Sequence, residues 1–312
     1  MNEVSLYTIT LNPAIDRLLC LNEKLERRKS NRITEVSYDI GGKGTHASYV
    51  MSKLGVKNLA LGFAGSQNID KFKQILSEKN MEHDFTIIDG KATRECYIMI
   101  EPEQVSAGSI MLTEKGFHVE EADINRLFNR IKSRVKAEDM VLIAGSLPAN
   151  FTIDNLRQLL RILKEIGCFI ACDLSGEAIE LAVKMKVDFI KPNEFELKQL
   201  KASHENLLDT VKRLNQDIDY VVTSLGEKGS YCGYDRKIYR VIPPRVKEIN
   251  DTGAGDCFVG AFLAGLANQL SIEEIVKLAS GCAASKVMNK DSSTFDVKTA
   301  MKLKQQVKIT QL

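Results

Sequence analysis

The sequence predicts one doubly wound α/β domain with a mostly parallel central sheet flanked by helices. Three observations carry this: short β-branched runs alternate with helical apolar stripes, two polar β-rich segments interrupt the alternation, and no linker divides the chain. At 312 residues the length suits either two ordinary domains or one large α/β unit. Hydrophobic residues make 44% of the chain and charged ones 27%, enough for a sizeable core and against global disorder.

Leu6 to Leu11 reads as the first strand. Ala47, Val50, Met51 and Leu54 recur at helical spacing, and Gly55 supplies the left-handed residue that ends such a helix. After strand Asn58 to Phe63, Asn68 is placed to cap a helix facing inward through Ile69, Phe72, Ile75 and Leu76. Ile124, Leu127, Phe128, Ile131 and Val135 repeat that stripe, and strand Met140 to Ala144 follows directly. Leu156, Leu159, Leu160 and Leu163 form another, closed by Gly167, before strands Cys168 to Cys172 and Val187 to Ile190. Beyond strand Asp219 to Thr223, two helices close the chain, the second opened by Ser271 and Glu274 as a capping box. The interrupting segments, about 18–39 and 92–111, are expected to leave the sheet at its ligand-binding end as a small β lid on a single domain spanning 1–312.

Lys and Arg total 43 against 41 Asp and Glu, and a net charge of +2 offers no broad attraction for nucleic acid or anionic membrane. The longest apolar run, Val259 to Ala267, is far short of the roughly 20 residues that span a bilayer. The N-terminus lacks a basic start followed by an apolar core, so a cytoplasmic protein is expected. Seven cysteines without a CxxC pair read as buried free thiols, and the four histidines show no metal-ligand spacing.

Asn250-Asp251-Thr252-Gly253-Ala254-Gly255-Asp256 runs straight into the apolar stripe Phe258, Val259, Phe262, Leu263 and Leu266. Small residues before a helix expose N–H groups that attract a phosphate-like anion. Asp256 would repel that anion, yet a carboxylate beside an anion hole is what accepts a hydroxyl proton during phosphoryl transfer. The alternative is that Asp256 caps its helix and the glycines only make a tight turn. Gly41-Gly42-Lys43-Gly44 opens a second helix and is not a Walker A loop, because Lys43 precedes Gly44 instead of Ser or Thr. Asp16, after Asn12-Pro13, offers paired acceptors to sugar hydroxyls, or is a turn Asp. Arg94 in the expected lid could clamp a phosphate bidentately, or lie solvated at the surface.

At these residues the sequence resembles the ribokinase-like (PfkB-type) carbohydrate kinases over essentially its whole length. NPAID at 12–16, GGKG at 41–44, TR at 93–94, GSLP at 145–148, DLSGEA at 173–178, KPNEFEL at 191–197, SLGEKG at 224–229 and TGAGD at 252–256 follow the family's order. NPAID, DLSGEA and SLGEKG resemble the branch acting on sugar monophosphates. The resemblance implies an ATP-dependent kinase, most nearly a 1-phosphofructokinase or tagatose-6-phosphate kinase, that commonly dimerises through its β lid. It implies Asp256 as catalytic base, with Gly253, Ala254 and Gly255 as anion hole. It places Asp16 on sugar hydroxyls and Gly42, Lys43, Arg94 and Ser146 near the acceptor, Lys43 and Arg94 as phosphate contacts. Asn193 and Glu196 would position nucleotide phosphates and Mg²⁺, the metal through its waters, and Ser224, Gly226 and Gly229 would line the ATP site. Asn193 and Glu196 could also simply begin the next helix.

Departures cluster on the sugar side. Relatives place an Asn two residues after GGKG, where this chain has Thr45-His46, and an Asn where Cys96 stands. Their NEPGP segment has no counterpart in Val105 to Thr113. Fructose-1-phosphate, tagatose-6-phosphate and fructose-6-phosphate all stay open, because isomers differ by hydroxyl placement that an assembled pocket reads. Two other readings are a nucleoside or small-alcohol kinase of the same fold and a catalytically weak sugar-phosphate-binding regulator. Lys43, Arg94 and DLSGEA count against the first, and Asp256 within TGAGD against the second.

Overall fold

Five consecutive buried residues make β1 (Leu6–Thr10) an interior strand of a ten-stranded sheet in the computed structural model, which describes residues 5–101 and 109–312. A strand covered on both faces needs such an unbroken buried run. The chain continues through β2 (Ala14–Leu21), β3 (Ile33–Gly41), α1 (Lys43–Lys53), β4 (Asn58–Gly65), α2 (Ile69–Glu78), β5 (His83–Ile88), β6 (Arg94–Ile100) and β7 (Ile110–Thr113). Then come α3 (Glu121–Arg134), β8 (Met140–Ala144), α4 (Ile153–Ile166), β9 (Phe169–Asp173), α5 (Glu177–Lys184), β10 (Phe189–Ile190), α6 (Glu194–Leu200), α7 (Leu207–Leu214) and β11 (Tyr220–Ser224). Last are β12 (Ser230–Tyr234), β13 (Lys237–Ile242), α8 (Ala254–Ala267), α9 (Ile272–Val287), α10 (Val297–Lys304) and β14 (Lys308–Gln311).

The sheet order is β14-β13-β12-β11-β10-β9-β8-β1-β4-β5. It is parallel from β11 to β5, and β12 to β14 add an antiparallel edge. From β1 the order runs through β4 to β5 on one side and through β8 to β11 on the other. The crevice beyond the C-terminal ends of β1 and β8 is therefore the switch point at which open α/β sheets bind ligands. One face packs on the stripes of α3, α4, α5 and α7, and the other on α1, α8, α9 and α10, so the sheet is doubly wound as the sequence predicts.

A second sheet, ordered β3-β2-β6-β7, draws its strands from the segments that interrupt the alternation, although β2 already starts at Ala14. Residues 102–108 of the second segment, and with them part of the region aligned with NEPGP, lie outside the described residues. Burial alternates along these strands: Asp16, Leu18, Cys96 and Ile98 are buried, while Arg17, Leu19, Tyr97 and Met99 are half-buried.

Three local expectations change. Asn68 stands at the α2 N-cap but does not bond the helix; its amide pairs with Thr93 N–H and C=O at 2.8 and 2.7 Å, satisfying backbone just before β6. Ser271 accepts from Glu274 N–H, yet Glu274 leaves the capping box for the Lys304 ammonium at 2.6 Å, a stronger partner than a backbone donor. The chain closes with a third helix and a strand, because α10 buries only Ala300 and Leu303 and shows too short a stripe to be read. All seven cysteines are free, six of them buried and Cys20 half-buried. Among the described residues no helix is long and apolar enough to cross a membrane.

Candidate active site

Gly253 caps α8 with φ +78°, and a Cβ there would collide with the Ser292 carbonyl, so the turn requires glycine. The Ala254 N–H closes the turn onto Asp251 O at 3.1 Å. The next first-turn N–H groups, those of Gly255 and Asp256, have no intrahelical acceptor and point out of the helix end. Asp256 does not cap the helix: its buried carboxylate turns sideways, with Oδ2 2.7 Å from His46 Nδ1.

His46 lies in α1 and is itself buried. Its Nε2 is 2.8 Å from the Ile40 carbonyl and 3.4 Å from Asp16 Oδ2. Burial opposes charge on the imidazole, but the carboxylates of Asp16 and Asp256 outweigh it and push its pKa up to about 10. Burial likewise opposes ionisation of Asp256, and the bond to His46 overrides it, holding the carboxyl below its ordinary value. Asp16 is thus a buried strand residue of β2 and not a turn residue, and Gly41 leaves it room, since a Cβ there would strike its Oδ1. Cys96 is its register partner on β6.

Gly42 is the N-cap of α1, and Lys43 is the first helical residue. Lys43 Nζ donates to Asp173 Oδ1 at 3.1 Å, and Lys191 Nζ lies 3.6 Å from Asp173 Oδ2. The Asp173 charge raises the Lys43 pKa, with smaller help from Asp256 and Glu196. Two ammonium groups and the α8 N-terminus therefore face Asp256 across one space, a field suited to a polyphosphate.

At the switch point Asn12 Nδ2 donates to Ser146 Oγ and to Lys115 O, both at 3.1 Å. The Arg94 guanidinium is half-buried, not freely solvated: it donates to the carbonyls of Asn12 at 3.1 Å and Glu114 at 3.0 Å. Its hydrogen bonds go to neutral carbonyls, and with Lys91, Lys115 and Glu114 it lines a cleft beside β6.

Asn193 and Glu196 do begin a helix. Asn193 Oδ1 accepts from the N–H groups of Phe195 and Glu196, and Glu196 Oε2 accepts from Asn193 N–H at 2.8 Å. Ser224 at the end of β11 bridges to Asn193, and Gly226 and Gly229 flank the turn that follows. Glu196 also lies near enough to the Lys43 ammonium to favour its charge.

Sequence reasoning passed over Asn12, Asp173 and Lys191 as site residues, although each stands inside a quoted motif. It also passed over Lys286, fully buried, whose Nζ donates to Asn250 O at 2.8 Å just before the turn that opens α8. Nothing local marks that lysine, which sits in the apolar stripe of α9.

A parallel sheet with its switch point open, a helix N-terminus bearing a buried carboxylate, and paired lysines define a phosphotransferase. The chain belongs to the pfkB family of carbohydrate kinases, whose description, pfkB family carbohydrate kinase, matches residues 9–300. It is 26% identical over 317 residues to a tagatose-6-phosphate kinase of Staphylococcus epidermidis, with 98% of this chain and all of that one covered. It is 28% identical over 315 residues to the 1-phosphofructokinase of Bacillus subtilis, again covering 98% and 100%. Escherichia coli phosphofructokinase-2, solved in complex with substrates and products, shares the fold at TM-score 0.90 with 23% identity over 97% of this chain and 99% of that one. A putative phosphofructokinase from Staphylococcus aureus superposes at TM-score 0.81 with 28% identity over 98% and 99%.

Proposed function

We propose that the protein transfers the γ-phosphoryl group of ATP to a hydroxyl of a sugar monophosphate, fructose-1-phosphate or tagatose-6-phosphate. The observation that carries this reading is the ionised Asp256 carboxylate buried beside the free N–H groups of the α8 N-terminus. Asp256 accepts the acceptor hydroxyl proton, the hydroxyl oxygen bonds to γ-phosphorus, and the bond to the β-phosphate bridging oxygen breaks, releasing ADP. The Gly255 and Asp256 N–H groups hold the transferring group, and Gly253 keeps the backbone close to it. Lys43, expected from its motif to contact the acceptor phosphate, shares Asp173 with Lys191, and on this reading the two neutralise the polyphosphate instead. Asp16 orients the sugar hydroxyls, and Arg94 binds the acceptor phosphate, with Ser146 and Gly42 lining the same space.

Asn193, Glu196, Ser224, Gly226 and Gly229 form the nucleotide side. The donors there suit a hard cation: Glu196 is a carboxylate, and the buried Asp173 Oδ2 has no hydrogen-bond partner. Mg²⁺ bound with ATP would neutralise phosphate charge, and Glu196 would hold it through water.

The small sheet would act as a lid and as the interface of a homodimer. Its outer face is apolar, with Val36, Tyr38, Ile110 and Leu112 each at least 43% exposed. A panel of fructose-1-phosphate, tagatose-6-phosphate, fructose-6-phosphate and nucleosides with Mg·ATP tests the reading. Turnover confined to sugar phosphates is expected. Turnover of nucleosides alone, or of nothing, contradicts it.

A further inference from the structure

We propose that His46 is a positioning residue for phosphoryl transfer: as an imidazolium it donates Nδ1–H to Asp256 Oδ2, holding the base ionised and its other oxygen toward the acceptor hydroxyl. The inference rests on reading Asp256 as the base.

The hydrogen-bond geometry carries the argument. His46 Nε2 lies 2.8 Å from the Ile40 carbonyl, which can only accept, so Nε2 bears a proton. His46 Nδ1 lies 2.7 Å from Asp256 Oδ2, a separation that demands a second proton between nitrogen and carboxylate. Both side chains are buried, where a low dielectric strengthens the bond between them. Asp16 Oδ2, 3.4 Å from Nε2 on the other side, adds a second negative charge that favours keeping that proton on the ring.

Every charged group packed around the ring is consistent with this state. Asp16 comes from β2 and Asp256 from α8; Asp39 of β3 also feels the imidazolium but is itself paired with Lys79 at 2.8 Å. Lys43 and Lys191 also favour the charged form of Asp256. The imidazolium thus reduces the charge of the Asp16 and Asp256 pair from two negatives to one, where an anionic phosphoryl group must approach. A neutral amide at position 46 could orient the carboxylate but could not reduce that charge. Lying between the two carboxylates expected on the acceptor side, His46 both restrains the base and eases its repulsion of the incoming phosphate.

The test uses the whole protein labelled with ¹⁵N at histidine. In the wild type both His46 ring nitrogens stay protonated from about pH 6 to 9, and in Asp256→Asn the Nδ1 proton is lost within that window. In His46→Asn, the acid limb of the kcat profile moves up by about one pH unit, a loss of about tenfold in kcat at pH values below both limbs, while both KM values move less. A single protonated ring nitrogen in the wild type, or an unchanged acid limb in His46→Asn, overturns the proposal. Full turnover in Asp256→Asn with the wild-type imidazolium intact overturns the base assignment, and with it this role, while leaving the ion pair standing.

Discussion

Asp173 Oδ1 accepts a hydrogen bond from Lys43 Nζ at 3.1 Å, joining the end of β9 to the start of α1 across the mouth of the sheet. The carboxylate is buried and also faces Lys191, so Asp173→Asn leaves two ammonium groups close together with no anion between them. Breaking a fully buried pair costs about 3–5 kcal/mol. Lys43 is 37% exposed, so solvent screening brings the expected loss nearer to about 2 kcal/mol. Urea unfolding of the variant measures this, and a midpoint equal to wild type would show the cluster to be structurally idle.

Arg94→Ala removes one of three cations lining the cleft proposed to take the acceptor phosphate. A charge-assisted contact is worth about 1.5–3 kcal/mol, so the sugar-phosphate KM should rise by at least tenfold with little change in the ATP KM. The loss of bonds to the Asn12 and Glu114 carbonyls should also lower the melting temperature. Steady-state kinetics with each substrate varied separates these effects, and equal weakening of both substrates places Arg94 outside the acceptor site.

Leu112→Lys sets a charge on the outer face of the small sheet, where Leu112 is 57% exposed. If that face joins two copies, sedimentation velocity should show the variant as monomer and the wild type as dimer. A monomeric wild type would contradict the interface.

Lys286 gives a pH signature of defined sign. Burial drives its pKa down to about 8, against about 10.4 in an unfolded chain. Its burial penalty is fully present below pH 8 and is relieved as pH rises from 8 toward about 10.4, because the unfolded state then binds more protons than the folded one. Relative to wild type, Lys286→Met should therefore gain most stability at pH 7 and lose that advantage by about pH 10. Urea unfolding of both proteins at the two pH values checks this, and a constant difference rejects the depressed pKa.

The doubly wound order was legible because its signals are local: the stripes of α3 and α4 and the all-apolar run of β8 each lie within one element. Asn68 and Glu274 misled because their side chains serve distant partners, Thr93 and Lys304, across 25 and 30 positions of chain. The motifs named most residues around the nucleotide and acceptor spaces, but not how they pair. His46 was visible as a departure from the family's Asn, whereas its place between Asp16 and Asp256 depends on packing α1 against α8. Ser292, 39 positions beyond Gly253, explains that glycine only once the fold brings its carbonyl against the turn.

The central claim is that Asp256 removes the acceptor proton, and the most direct measurement is kcat for Asp256→Asn with the preferred sugar phosphate and Mg·ATP. The substitution keeps size and most hydrogen bonding, so affinities for both substrates should stay near wild type. General-base contributions are of the order of 10² to 10⁴ in rate, and this carboxylate must also orient the hydroxyl, so a fall toward the upper end is predicted. Retention of more than about a tenth of wild-type kcat with intact affinities would contradict the assignment and move the search for a base to Asp16.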